Sequence, residues 1–243
     1  MKTYIYGKHV IEEALKNKPE SVERIFFIKP DSNIKKLAKN IQTEILNPKA
    51  TLPKGIDLDV KHQGVFALID LNKLLLKYRD YIENTEVNKD TCFVILGELQ
   101  DPQNVGAIIR SAVALGISAI ILPEHNQVKI TGSVVKVSTG MVFSIPIIKV
   151  MNINNTIRDL KDRGFWVYGL DGESDNLLND QKFDEPTVFV LGNEAKGIRE
   201  KTKEVCDVLI KIPMNSKCES MNVASSSSVV LYEWSRQHPK RLI

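Results

Sequence analysis

Beyond residue 91 the apolar and polar positions alternate in blocks. Runs at 92–96, 118–122, 145–150, 165–170, 187–191 and 207–212 are nearly continuous in apolar residues and predict strands. The stretches at 104–115, 131–139, 153–163, 199–206 and 222–236 predict helices between or after them. Strands apolar on both faces need cover on both sides. The alternation therefore predicts an α/β unit with a mostly parallel sheet. Ligands of such sheets gather beyond the carboxyl ends of the strands, where the chain turns into a helix.

The first third is smaller in scale. Gly7 to Lys16 has helical spacing, with Val10, Ile11, Ala14 and Leu15 on one side. Residues 24–28 predict a strand, Asn33 to Ile41 a second amphipathic helix, and Pro48, Pro53 and Gly55 punctuate a loop. The apolar run from Val65 to Leu71 closes a small α/β domain, residues 1–75. Residues 76–90 are polar, carry both charge signs and predict a linker, leaving 91–243 as the second domain. Ser225 to Ser228 run on into Val229, Val230 and Leu231, which predicts a closely packed helix with small contact residues.

Composition narrows the classes. Of the 243 residues 43% are apolar, with no run near the roughly 18 residues of a membrane span. The start, Met1 to Gly7, lacks a continuous apolar signal core, so a cytoplasmic location is expected. Cys92, Cys206 and Cys218 are too scattered for a disulfide framework or a zinc site. The histidines at 9, 62, 125 and 238 show no ligand spacing, so neither metal-dependent nor covalent chemistry is expected. Net charge is +3, and residues 1–75 hold 13 Lys and Arg against 9 Asp and Glu, so the basic excess lies where a phosphate backbone could be gripped.

Three patches stand at predicted strand-to-helix turns: Asp101-Pro-Gln-Asn-Val-Gly-Ala107 leading to Arg110, Leu191-Gly-Asn-Glu-Ala-Lys-Gly197, and Ile212-Pro-Met214 leading to Ser220-Met-Asn-Val223. Gly192 and Gly197 have the glycine spacing of a phosphate loop. Ile198 and Arg199 follow instead of Lys and Ser/Thr, which excludes that reading. Asn104 stands where a helix cap would, and Ser220 and Asn222 are cap-type residues before the last helix. Arg110 lies among Ala107, Ile108, Ile109, Ala112 and Val113. Such an arginine either meets a carboxylate or phosphate, or lays its stem on the helix and sends its head to water.

In this order the patches resemble the three motifs of the SpoU (TrmH-like) RNA 2′-O-methyltransferases, over about residues 91–243. Val135-Lys-Val-Ser-Thr-Gly140 before Ile145-Pro146 is similar to the segment between the family's first two motifs. Tyr6-Gly-Lys-His-Val10 and His62-Gln-Gly-Val65 resemble the L30e-like RNA-binding domain of its ribosomal RNA branch. The third motif departs from the pattern: Asn215-Ser-Lys217 stands where a glycine is common, and Met221-Asn222 replaces Leu-Asn.

The resemblance implies a SPOUT-type C-terminal domain with a deep trefoil knot, a rarity among folds, and a homodimer formed through it. It implies S-adenosylmethionine as methyl donor, no metal, and RNA as partner, with neither DNA nor membrane. The donor would sit on main-chain groups at Gly192, Ile212 and Met221, with Gly197 in the same loop and Leu191 and Met214 as walls. Arg110 would stand nearest the reacting ribose, binding phosphate and stabilising oxyanion charge. Asn104, Glu194, Ser220 and Asn222 would hold it and the nucleotide. The expected substrate is a guanosine of large-subunit rRNA. Transfer RNA and antibiotic-resistance methylation are same-chemistry rivals, and a non-catalytic RNA-binding or ribosome-assembly factor is the rival of another class.

Overall fold

Two sheets organise the computed structural model, which describes residues 1–47 and 62–242. The first contains β1 (Lys2–Tyr6), β2 (Val22–Phe27), β3 (Gln42–Ile45) and β4 (Val65–Asp70), in the order β1-β4-β2-β3. β4 runs antiparallel to β1 and β2, while β3 is parallel to β2. Helix α1 (Lys8–Asn17) buries Ile11, Ala14 and Leu15, as its spacing predicts, and α2 (Ser32–Leu37) buries Ile34. The loop expected around Pro48, Pro53 and Gly55 lies outside the described residues.

The second sheet is parallel throughout. Its strands are β5 (Leu75–Lys77), β6 (Cys92–Leu96), β7 (Ala119–Pro123), β8 (Ile147–Val150), β9 (Trp166–Leu170), β10 (Thr187–Leu191) and β11 (Val208–Ile210). Their order is β11-β9-β10-β6-β7-β8-β5. The helices are α3 (Tyr78–Ile82), α4 (Pro102–Ala114), α5 (Gly132–Val137), α6 (Ile153–Asp162), α7 (Glu200–Lys203) and α8 (Val223–Gln237). Successive strand residues point to opposite faces. Cys92, Val94 and Leu96 enter the core shared with α4, α5 and α8, while Phe93 and Ile95 enter the one shared with α3 and α6. This double burial is why the strands carry no polar face. No helix among the described residues is long and apolar enough to cross a membrane.

The topology fixes where a ligand can bind. From β6 the chain steps outward through β7 to β8, then crosses over to place β9, β10 and β11 on the other side. The order reverses between β6 and β10, and the crevice above that pair is the switch point of the sheet.

Residues 75–82, most of them assigned by the sequence pattern to a linker, belong instead to the second sheet. Leu75–Lys77 pairs in parallel with β8 as the edge strand. In α3, Ile82 is buried against Phe93 and Ile157. Lys77, Arg79 and Asp80 supply the outer face of this edge and give the segment its polar, linker-like composition. The passage between sheets is a helical turn at Leu71–Leu74, whose two leucines are buried in one cluster with Ile5, Val94 and Val105. The sheets therefore share a hydrophobic core.

The Tyr78 hydroxyl donates to Asp159 Oδ2 at 2.6 Å, and Arg163 Nε donates to the same oxygen at 2.7 Å. Arg163 first, then Tyr78, hold the Asp159 carboxyl below its ordinary range. A carboxyl lowered on folding contributes stability above its unfolded pKa and loses it as pH falls through the folded one. Tyr78→Phe should cost about 1 kcal/mol at neutral pH. In urea unfolding the difference from wild type should shrink in acid; a difference that grew in acid would exclude this linkage.

Candidate active site

Each of the three patches lies where a strand of the second sheet leaves the core. The segment 97–101 follows β6 and ends in Asp101, whose side chain caps α4 by accepting from the Gln103 amide at 2.8 Å, with Pro102 in the first turn. Asn104 is therefore not the cap expected from its position. It is the third residue of the helix, largely buried, with its side chain turned to Asn222 and Glu194. The segment 192–199 follows β10. Asn193 and Gly197 exchange both backbone hydrogen bonds at 2.9 Å, and Asn193 Oδ1 accepts from the amides of Ala195 and Lys196. The segment 211–222 follows β11 and ends at Asn222, which caps α8 by accepting from the Ala224 and Ser225 amides.

A chain of side-chain hydrogen bonds links the three. Asn222 Nδ2 donates to Asn104 Oδ1 at 3.0 Å, and Asn104 Nδ2 donates to Glu194 Oε1 at 3.1 Å. The amides of Gln100 and Asp101 and the side chain of Asn193 add longer contacts to the same carboxylate at 3.4 Å. Partial burial works to raise the Glu194 pKa. It is outweighed by hydrogen bonds from its own amide, Asn104, Asp101 and Gln100, which hold the carboxyl below its ordinary value. Glu194 is thus an anion already supplied with donors, which suits it to fixing the Asn104 amide and makes it a weak proton acceptor.

Beneath this chain lies a cavity of about 400 Å³, lined by Asn104, Leu191, Gly192, Glu194 and Gly197, and also by Ile212, Met214, Ser220, Met221 and Asn222. Sites for small ligands have volumes of this order. Gly192 presents bare backbone, because a Cβ there would overlap the Gly197 carbonyl carbon and the Ile198 nitrogen. Asn215 replaces the glycine common in the third motif and forms its own turn, accepting from the Lys217 amide at 3.0 Å through its side chain.

Ten of the eleven residues singled out from sequence meet at this cavity; Arg110 does not. It lies farther along α4, exposed and away from the cavity lining. Its head reaches water, the second of the two settings its sequence allowed. The sequence reading also omitted one wall, Leu170-Asp171-Gly172 after β9, where Lys203 holds the Asp171 carboxylate at 2.8 Å. An Asp-Gly pair ending an apolar run was the available signal.

A doubly covered parallel sheet, with a ligand-sized cavity formed by the loops after β9, β10 and β11 and the start of α4, and an amide–carboxylate chain on its rim, defines an α/β domain suited to hold a small molecule beside a polar site. Residues 91–232 match the SpoU rRNA methylase family, and residues 4–74 match the RNA 2′-O ribose methyltransferase substrate-binding domain. The chain belongs to the SpoU rRNA methylase family. It is 31% identical to a 23S rRNA (guanosine-2′-O-)-methyltransferase RlmB of Nitrosomonas europaea, over 98% of this chain and 93% of that protein. It is 33% identical to the RlmB of Neisseria meningitidis, over 96% and 94%. The fold is shared with the SpoU methyltransferase AviRb from Streptomyces viridochromogenes, at a TM-score of 0.80 and 23% identity over 100% of this chain and 92% of that one. In a second structure AviRb is in complex with AdoMet, at a TM-score of 0.78 and 23% identity over 98% of this chain and 91% of that one.

Replacing Asn104 by Ala removes the shortest side-chain donor to Glu194. The carboxyl should then titrate closer to its ordinary value in carbon-detected NMR. An unmoved pKa would mean that the backbone donors alone hold the charge.

Proposed function

We propose that this chain transfers a methyl group from S-adenosylmethionine to the ribose 2′-hydroxyl of a guanosine in 23S rRNA. The observation that carries the reading is the Asn222–Asn104–Glu194 chain on the rim of the 400 Å³ cavity. Relatives named for that reaction, aligned over nearly the whole chain, support the substrate. The cavity suits the donor in size, in its exposed backbone at Gly192 and in the apolar sides of Leu191, Ile212, Met214 and Met221. When bound there, S-adenosylmethionine supplies an already activated methyl group.

The chain's own part is alignment and charge. Glu194 orients the Asn104 amide. Asn222 ties that amide to the start of α8, and Ser220 lies in the same wall, so the ribose side of the cavity is formed by fixed polar groups. Arg110 binds phosphate beside the ribose and stabilises oxyanion charge through its planar guanidinium. Because Arg110 is exposed on α4 outside the cavity of its own chain, we assign it to the cavity of a second copy. The exposed Val229 and Tyr232 of α8 provide apolar surface for a dimer through this domain. The deep knot belongs to the same reading, since the segments after β9, β10 and β11 converge on one cavity. The first sheet and its helices choose the RNA. The enzyme acts in the cytoplasm, and DNA, which lacks the 2′-hydroxyl, is not a substrate.

The test is methyl incorporation from labelled donor into unmodified 23S rRNA, 16S rRNA and transfer RNA in parallel. Label in 23S rRNA alone, on a guanosine ribose, is expected. Label in transfer RNA alone would replace the substrate, and an absence of both label and donor binding would favour a non-catalytic RNA-binding factor. Arg110→Ala and Arg110→Lys should each lose at least about tenfold in turnover, because lysine lacks the planar fork. Co-purified mixed dimers of Arg110→Ala with Glu194→Gln, each variant first shown to melt as wild type, should regain part of the activity that each variant lacks alone. No recovery would place Arg110 in its own chain's site.

A further inference from the structure

The Glu98–Arg199 pair plays no part in the reading above, yet it joins the same two segments. Glu98 is a non-glycine residue with φ of 65°, in the left-handed region. Its carboxylate is gripped by one guanidinium: Arg199 Nε and Nη2 donate to Oε2 at 3.0 and 2.8 Å, and Nη2 lies 2.7 Å from Oε1. Its carbonyl oxygen accepts from Asn193 Nδ2 at 2.9 Å and from Gln100 Nε2 at 3.2 Å. The segment after β6 is thus fastened to both ends of the 193–199 loop, at Asn193 and at Arg199. The tip of that loop carries Glu194.

Stability does not account for this arrangement. Left-handed backbone is disfavoured for a residue with a Cβ. The Arg199 side chain is 68% exposed, and an ion pair so open to water contributes little to folding. What the pair does fix is position. Gly192 is held independently, by its close approach to Gly197 and Ile198 and by the Gly97 amide bond to the Leu191 carbonyl at 2.7 Å. Asn193 reaches the Glu98 carbonyl at 2.9 Å at one end of the loop, but the Glu194 carboxylate itself is met by the Gln100 and Asp101 amides only at 3.4 Å, and the Arg199 end has the Glu98 pair.

We propose that Glu98 and Arg199 form a positioning latch, which seats the Glu194 loop against the segment after β6 and sets turnover while leaving donor affinity nearly unchanged. Neither residue touches the reacting atoms. The inference rests on the methyl-transfer reading for its kinetic consequence, but not for its structural one.

The test uses the full chain with Glu98→Gln, Arg199→Gln and the double variant. On 23S rRNA each single variant should lose about tenfold in kcat, with KM for S-adenosylmethionine changed less than about threefold. The double variant should fall no lower than the worse single one, because the two side chains act only through each other. Glu98→Gly should lose kcat equally while melting no lower than wild type, since glycine relieves the left-handed backbone. Wild-type kcat in either single variant, or additive losses in the double, would overturn the latch. Amide hydrogen exchange at residues 193–197 gives a readout without RNA: faster exchange in both single variants supports the latch, and unchanged exchange overturns it. A wild-type chain that methylates no RNA would sink the methyl-transfer reading, while hydrogen exchange would still decide the latch.

Discussion

A single carboxylate at the sheet's switch point determines how the rest of the site is built. Glu194 stands on a loop that leaves the sheet beside β6, and beyond its own amide its charge is met by donors from the segment after β6 and the start of α4. Asn104 can meet it because Asp101, not Asn104, caps the helix. Asn104 in turn fixes Asn222, which caps α8. One anion therefore orders segments some ninety and nearly thirty residues away. The order depends on the parallel pairing of β6 with β10, which places Leu96 opposite Leu191 and starts both loops at one level.

The two hydrophobic cores explain why that level is dependable. Each inner strand is packed on both faces, so a slip of one residue would exchange the two sets of side chains between unlike cores. The register is pinned along the whole strand, independently of the loops. The first sheet is tied into the same system through Leu71, Leu74 and Ile5, which share a cluster with Val94 and Val105. The polar chain at the rim therefore rests on a scaffold that also includes the RNA-choosing domain proposed above.

Continuous apolar runs made the inner strands legible in sequence, and all six predicted strands of the second sheet are present. What was missed lies at edges. β3 has four exposed residues, β5 is a three-residue edge strand and β1 is largely unburied, so none carries the pattern that double burial writes. The linker reading of 76–82 failed for the same reason: a helix with one buried residue and a charged outer face reads as polar chain. At the site, residue types were legible but partnerships were not. Asn104 looked like a cap because caps and amide relays use the same side chain, and only the start of the helix at Pro102 separates the two roles. Asp171 and the Glu98–Arg199 pair are joined across long stretches of sequence, and no local spacing encodes such contacts.

Arg110 shows how a correct residue type can still leave a site incomplete. An arginine in the middle of an apolar stretch of helix has to place its charge somewhere, and here Arg110 is exposed to water. The cavity of the same chain is lined by the amides of Asn104 and Asn222 and by a satisfied carboxylate, with Lys211 the cation in its wall among the described residues and Arg110 outside it. Glu194 cannot take the place of Arg110, because its carboxyl is held below its ordinary pKa and its oxygens already have donors. On the proposed reading the two halves of the chemistry are therefore physically separate within one chain. The donor side is assembled by the chain's own loops, and the cation that meets the RNA backbone is displayed on an outer helix. Dimer formation would then be part of assembling the site, and the apolar residues exposed on α8 would serve catalysis by bringing Arg110 to the cavity of the second copy.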